Sequence, residues 1–172
     1  GSPFLTGTTP CSVTVDPFGK FVYVANRNSN NVSAFKIETT GALTAVAGSP
    51  FPAETGSFSV TVDPSGRFAF VANLGILTAP LVQGNVSAFS IDGTGALTAV
   101  PGSPFVAGTN PSSVAIDPAG KFAYVANYTS NDVSAFTIDA TGALAAVTGS
   151  PVTAGTNPAS VTVGPSGKFA YV

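Results

Sequence analysis

The sequence predicts an all-β chain, a β-propeller segment of about three and a half four-stranded antiparallel blades, and three observations predict it. The phrase SVTVDPFGKFVYVANRNSNNVSAF, from Ser12 to Phe35, returns as SVTVDPSGRFAFVAN from Ser59 and SVAIDPAGKFAYVANYTSNDVSAF from Ser113. It opens once more as SVTVGPSGKFAYV from Ser160. The tripeptide GSP at Gly1, Gly48, Gly102 and Gly149 sets spacings of 47, 54 and 47 residues, a period that belongs to propellers and solenoids. Inside each period lie four short bursts of β-formers separated by turn residues, and none reaches the roughly ten residues of a helix.

In the first unit the bursts are Ser12–Val15, Phe21–Ala25, Val32–Ile37 and Leu43–Val46, named A to D from the inside outward. DPFGK turns A into B: Pro17 presets φ and Gly19 permits a positive φ. NRNSNN turns B into C, and its asparagines tolerate left-handed backbone. ETTGA turns C into D, which runs on towards GSPF. Strands such as FVYVA are apolar almost throughout, as they must be when neighbouring blades cover both faces. Small Ala and Ser opposite Phe and Tyr let adjacent blades interdigitate. The expected domain is single, spanning 1–172, with blades at about 11–47, 58–101 and 112–148 and a half blade at 159–172.

Composition narrows the function classes. Of 172 residues, 44% are hydrophobic and only 8% charged, and the net charge is −2 with six basic residues scattered singly. That excludes a nucleic-acid or anionic-membrane patch, and no apolar run approaches the roughly 18 residues of a spanning helix. One cysteine, Cys11, allows no internal disulfide and reads as a small apolar filler. His, Met and Trp are missing. The missing methionine implies a chain processed, trimmed or cut from something longer, with no signal peptide left to name a compartment.

The repeated YVAN at Tyr23–Asn26 and Tyr124–Asn127, with FVAN at Phe70–Asn73, resembles the YVTN-type β-propeller repeat. The flanking VDPxGK, VSAF and TGAL elements are similar to those of the lactonase-like seven-bladed propellers, the group that includes bacterial 6-phosphogluconolactonases. The resemblance covers essentially the whole chain and implies that these blades are part of a seven-bladed ring. An arc of this size leaves roughly 500 Å² of blade face uncovered, which forfeits about 12 kcal/mol at roughly 25 cal/mol per Å². The arc is therefore expected to be completed, by the remainder of a longer chain or by a second copy. The longer chain is favoured, because two copies would each bring an inner A–B pair to the shared blade and neither would bring C and D.

By analogy with other propellers, the rim carrying the B–C and D–A loops holds the ligand. The expected ligand- or partner-binding residues on it are Arg27, Asn28, Leu74, Ile76, Leu77, Leu81, Tyr128 and Asp132. The second B–C loop carries seven extra residues, accounting for the 54-residue spacing. Its apolar stretch reads either as a loop burying Ile76, Leu77 and Leu81 over its own blade, or as a lid or partner contact. Asp16, Asp63 and Asp117 read as caps of their own turns rather than a metal array, and the sequons at Asn31, Asn85 and Asn127 as turn chemistry. Without His no Ser–His–Asp triad can be assembled within the chain. No catalytic residue, metal or cofactor is assigned. The leading expectation is a non-enzymatic module in an extracellular, periplasmic or cell-surface location, binding protein or carbohydrate or serving as scaffolding. The compartment follows family habit and polar, nearly charge-free loops. The alternative is a fragment of a lactonase-like hydrolase acting on sugar lactones.

Overall fold

A computed structural model of the chain describes residues 2–76 and 82–172. The first blade comprises β1 (Pro10–Val15), β2 (Phe21–Asn26), β3 (Asn31–Ile37), β4 (Leu43–Ala45) and β5 (Phe51–Pro52). The second comprises β6 (Ser57–Val62), β7 (Phe68–Asn73), β8 (Asn85–Ile91), β9 (Leu97–Ala99) and β10 (Phe105–Val106). The third comprises β11 (Pro111–Ile116), β12 (Phe122–Asn127), β13 (Asp132–Ile138), β14 (Leu144–Ala146) and β15 (Val152–Thr153). β16 (Thr162–Val163) and β17 (Ala170–Tyr171) form the inner pair of a fourth. All pairings are antiparallel, and β1, β6 and β11 lie side by side along the inner edge.

The strands share their side chains between two interfaces. β7 is buried along its whole length. Phe68, Phe70 and Ala72 join Val114, Val125 and Phe136 of the third blade, while Ala69 and Val71 join Tyr23, Val32 and Val60 on the first-blade side. The inner-strand valine of the second, third and fourth repeats reaches back onto the preceding blade: Val60, Val114 and Val161 are buried, whereas Val13 of the first repeat is 65% exposed. Its neighbouring amides are stapled in the same sense. Val60, Val114 and Val161 donate their N–H groups to the hydroxyls of Ser12, Ser59 and Ser113, at 3.2, 3.4 and 3.2 Å.

Two sequence expectations need correction. Strand D is not continuous, so the described residues form seventeen strand segments and the second piece lies beyond the expected boundary at residue 47. After Val46 the chain turns at Gly48, where φ is +85°, passes a cis Ser49–Pro50 bond and rejoins β3 as β5. The amide of Ala34, which a continuous strand would pair with a carbonyl, donates to the Ser49 hydroxyl at 2.9 Å instead. Ala88 with Ser103 and Ala135 with Ser150 repeat the arrangement at 3.0 and 2.8 Å. That is why GSP recurs. Cys11 is exposed, not a buried filler: it is the extra residue of a bulge between Pro10 and Ser12, which leaves it without a cross-strand partner.

Buried polar groups follow one scheme. Asn26, Asn73 and Asn127, all fully buried, donate from Nδ2 to the side chain that opens strand C (Asn31, Asn85, Asp132) and to the serine two residues on (Ser33, Ser87, Ser134), at 2.6 to 2.9 Å. Asp16, Asp63 and Asp117 each accept three backbone N–H groups of their own A–B turn. At the C–D turns, Asp92 and Asp139 accept from the hydroxyl and amide of Thr94 and Thr141. The threonine hydroxyls first, then the amides, hold both carboxyls below the ordinary aspartate range. Turn glycines Gly95 and Gly142 lie so close under Phe21 and Phe68 that a Cβ would overlap each ring.

Three outcomes follow from this packing. Asn73→Ala strands the partners of a buried amide and lowers the unfolding free energy by about 3 kcal/mol in urea titration; a loss under about 1 kcal/mol would contradict the scheme. A depressed aspartate pKa gives stability that is present above the unfolded value and lost as pH falls through the folded one. The amide resonances of Thr94 and Thr141 therefore titrate with midpoints below those of an unfolded-chain aspartate, and midpoints at or above it would refute the caps. In the second B–C loop, Leu74 and Gly75 donate N–H groups to Gly56 and Thr55, as Arg27 and Asn28 do to Thr9 and Thr8. Replacing Leu74–Gly84 by Arg-Asn-Ser-Asn restores those bonds and shifts Tm by no more than about 4 °C; unfolding would make the insertion part of the core.

Candidate functional site

The rim is built from two segments per blade. The chain leaves strand B at its buried asparagine and turns towards strand C, while the D–A segment runs alongside and accepts its first two amides. These bonds are Arg27 N–H to Thr9 and Asn28 N–H to Thr8 in the first blade, and Tyr128 N–H to Asn110 and Thr129 N–H to Thr109 in the third, at 2.9 to 3.2 Å. Positive φ at Thr9, Gly56, Asn110 and Asn157 gives the D–A segments one shape. Successive blades are joined by Asn30 and Asn131, whose side-chain oxygens accept the amides of Gly56 and Asn157 at 2.8 and 2.7 Å. Asn157 in turn donates from Nδ2 to the carbonyl of Tyr128 at 3.0 Å.

On this frame Arg27, Leu74 and Tyr128 occupy the same position, the residue after the buried asparagine, on three consecutive blades. Arg27 and Asn28 are exposed, Leu74 is half-buried and Tyr128 is 41% exposed. Ile76 is 37% exposed and forms a two-residue bridge with Val82, their backbones exchanging bonds of 2.8 and 2.9 Å. Leu77 and Leu81 lie outside the described residues. Asp132 belongs to the interior scheme, its Oδ1 2.6 Å from Asn127 Nδ2, where Asn31 and Asn85 stand in the other blades. Asn127 is fully buried, so its sequon is closed to modification in the folded chain.

Sequence reasoning missed the common position of Arg27, Leu74 and Tyr128, although alignment on the asparagine would have found it. Among the described residues, no three of His, Cys, Asp and Glu converge in a way that could hold a metal ion. Among the same residues no helix is long and apolar enough to cross a membrane. Among the described residues the rim offers a ligand the Arg27 guanidinium, the half-buried carboxylates of Glu54 and Asp132, side-chain amides and hydroxyls, and the exposed ring of Tyr128.

The family model of the lactonase seven-bladed β-propeller matches residues 4–58 and 57–172. Among solved structures, a candidate 6-phosphogluconolactonase of Bacteroides uniformis superposes with a TM-score of 0.82 at 21% identity, over 97% of this chain and 51% of that one. A second, from Bacteroides fragilis, gives 0.79 at 26% identity over 93% and 44%. The periplasmic gluconolactonase of Pseudomonas aeruginosa gives 0.68 at 25% identity over 87% and 41%. This chain thus spans about half the length of the structures it matches. A comparison with curated proteins finds no match.

These matches correct the expectation of a non-enzymatic extracytoplasmic module. The family model and the neighbours' names are those of lactonases, and the periplasmic location is a property of the Pseudomonas aeruginosa protein. The error came from treating the lack of His within one arc as the lack of a reaction, although a ring can gather its reacting groups from other blades. The chain belongs to the lactonase seven-bladed β-propeller family.

Proposed function

We propose that this chain forms about half of a lactonase-type propeller that hydrolyses sugar lactones, with the B–C/D–A rim as its substrate surface. The observation that carries the reading is the family match, which runs through nearly the whole chain. The rim adds chemistry of the right kind. Lactone hydrolysis adds water to the ring carbonyl carbon, places negative charge on the carbonyl oxygen, and breaks the ring C–O bond. The ring oxygen takes a proton and leaves as a hydroxyl, and the product is a hydroxy acid. Arg27 is exposed on the rim and permanently charged, so its fork of N–H donors suits the developing oxyanion and the product carboxylate. Asn28 offers donors and an acceptor to sugar hydroxyls, and the Tyr128 ring offers a flat apolar face. The chain has no His. The proton of the attacking water therefore goes to a carboxylate or to a group on the remaining blades.

The test is a nuclear magnetic resonance titration of the protein with gluconate and with 6-phosphogluconate. Binding on the order of millimolar is expected, with shifts confined to Arg27, Asn28, Tyr128 and the adjoining D–A residues. Arg27→Ala should weaken it about tenfold or more, as loss of a charge-assisted contact does. Shifts on the opposite rim, or none at all, would refute the assignment.

A further inference from the structure

The D–A segments follow one pattern with one exception. Aligned on GSP, the same position is held by Gly7, Glu54, Gly108 and Gly155. In the first and third blades a side chain is excluded there, because the B–C loop of the same blade lies against it. A Cβ on Gly7 would stand 2.3 Å from the Ser29 hydroxyl, and one on Gly108 would stand 2.6 Å from that of Ser130. Both would also overlap the buried asparagine, Asn26 or Asn127. These serines, three residues after the asparagine, accept the next amide of the segment, Thr8 or Thr109. In the second blade Ile76 stands three residues after Asn73, and its backbone pairs with Val82 instead. The blade whose B–C loop departs from the repeat is thus the blade whose D–A segment carries a side chain here, and that side chain is a carboxylate.

Glu54 is fixed between two B–C loops. Ala53 and Gly56, which bracket it, donate their N–H groups to the carbonyl and the side-chain oxygen of Asn30 at 3.0 and 2.8 Å, three residues along from Arg27. From the other loop, Leu74 and Gly75 donate to the carbonyls of Gly56 and Thr55. The Glu54 carbonyl accepts the Ser57 hydroxyl at 3.0 Å. Its side chain is half-buried, and among the described residues the carboxylate enters no hydrogen bond and no ion pair. It lines, with Ser87 and Ser103, a crevice of about 230 Å³ between the first and second blades, a space of the size of one sugar ring.

The charges on this rim select among sugars. Of the six basic residues, Lys20, Arg67, Lys121 and Lys168 lie in A–B turns on the opposite rim, and Lys36 on strand C pairs with Glu38 at 3.2 Å. Arg27 is the cation that remains, and the lactone carbonyl or the product carboxylate occupies it. Glu54 and Asp132 share the rim with it. A phosphate monoester brings nearly two negative charges and acceptor oxygens only, and it meets no second cation on this rim. Sugar hydroxyls bring donors, which a carboxylate accepts strongly. We propose that Glu54 is a specificity-determining residue, accepting the hydroxyls of an unphosphorylated sugar lactone and repelling a phosphorylated one. The proposal deepens the lactonase reading and rests on it.

The experiment is a nuclear magnetic resonance titration of the 172-residue protein at low ionic strength, with gluconate, 6-phosphogluconate and inorganic phosphate as probes. Gluconate should bind about tenfold more tightly than 6-phosphogluconate, the size of repulsion expected between a carboxylate and a nearby phosphate in a wet site. High salt should narrow that gap. Glu54→Gln, which keeps the shape and removes the charge, should close it to less than about twofold, while Glu54→Asp should preserve it. Inorganic phosphate should leave the amides of Thr55 and Gly56 unshifted. Equal or tighter binding of 6-phosphogluconate on this rim, a gap that Glu54→Gln leaves unchanged, or phosphate shifts at Thr55 and Gly56 would overturn the role of Glu54 and leave the lactonase reading standing. Binding of neither sugar acid to the rim would overturn both.

Discussion

Face-to-face burial between blades is the constraint from which the other features descend. A four-stranded sheet has two faces, and here neither is covered from within its own blade. β7 divides its five apolar residues between one cluster shared with the first blade and another shared with the third. Such a strand must be apolar on both sides. It must also be narrow enough for its neighbours to approach, which is why Ala faces aromatic rings throughout. Water is excluded along its length, so a polar group that enters the stack is costly without a partner, and the Asn73 Nδ2 group finds two in Asn85 and Ser87. The Asn–Ser pairs, the aspartate-capped turns and the serine that interrupts strand D are three answers to that one demand.

These answers also fix the geometry between blades. The serine that ends the inner-edge bulge accepts an amide from the next blade, and the same bond recurs at each of the three junctions. Asn30 and Asn131 tie the rim in the same way. With backbone geometry set by buried groups, the side chain after the buried asparagine has no structural duty. It can be Arg27, Leu74 or Tyr128 without disturbing the frame. A rigid scaffold carrying freely variable rim positions is the arrangement in which function concentrates on loops.

Much of the fold was legible because a repeat states its own register. Strands B and C, the Asp-Pro turns and the inner position of strand A can be read by aligning Ser12, Ser59 and Ser113. The break in strand D was not legible. LTAV and GSPF look like one run, and nothing in the letters shows that the Ser49 hydroxyl replaces a backbone carbonyl. The part Asp132 plays in the frame was not legible either: half-buried at the start of strand C, it takes the place of Asn31 and Asn85 and accepts from the buried Asn127 amide. Cys11 is exposed because a bulge between Pro10 and Ser12 leaves it without a cross-strand partner, and nothing in the letters marks that bulge.

The mistaken weighting of function has a physical lesson. Near-identity of the repeats is no evidence against a site. In this architecture most of each repeat is bound by the packing between blades: the asparagine, the two serines, the capped turn and the turn glycine each have a partner fixed by the fold. Monotony in those positions measures only the strictness of stacking. The informative residues are the few that stacking leaves free, and there the three blades share nothing. A guanidinium, an aliphatic chain and a phenol stand in one position on adjacent blades, giving the rim a chemical direction that the frame beneath it lacks.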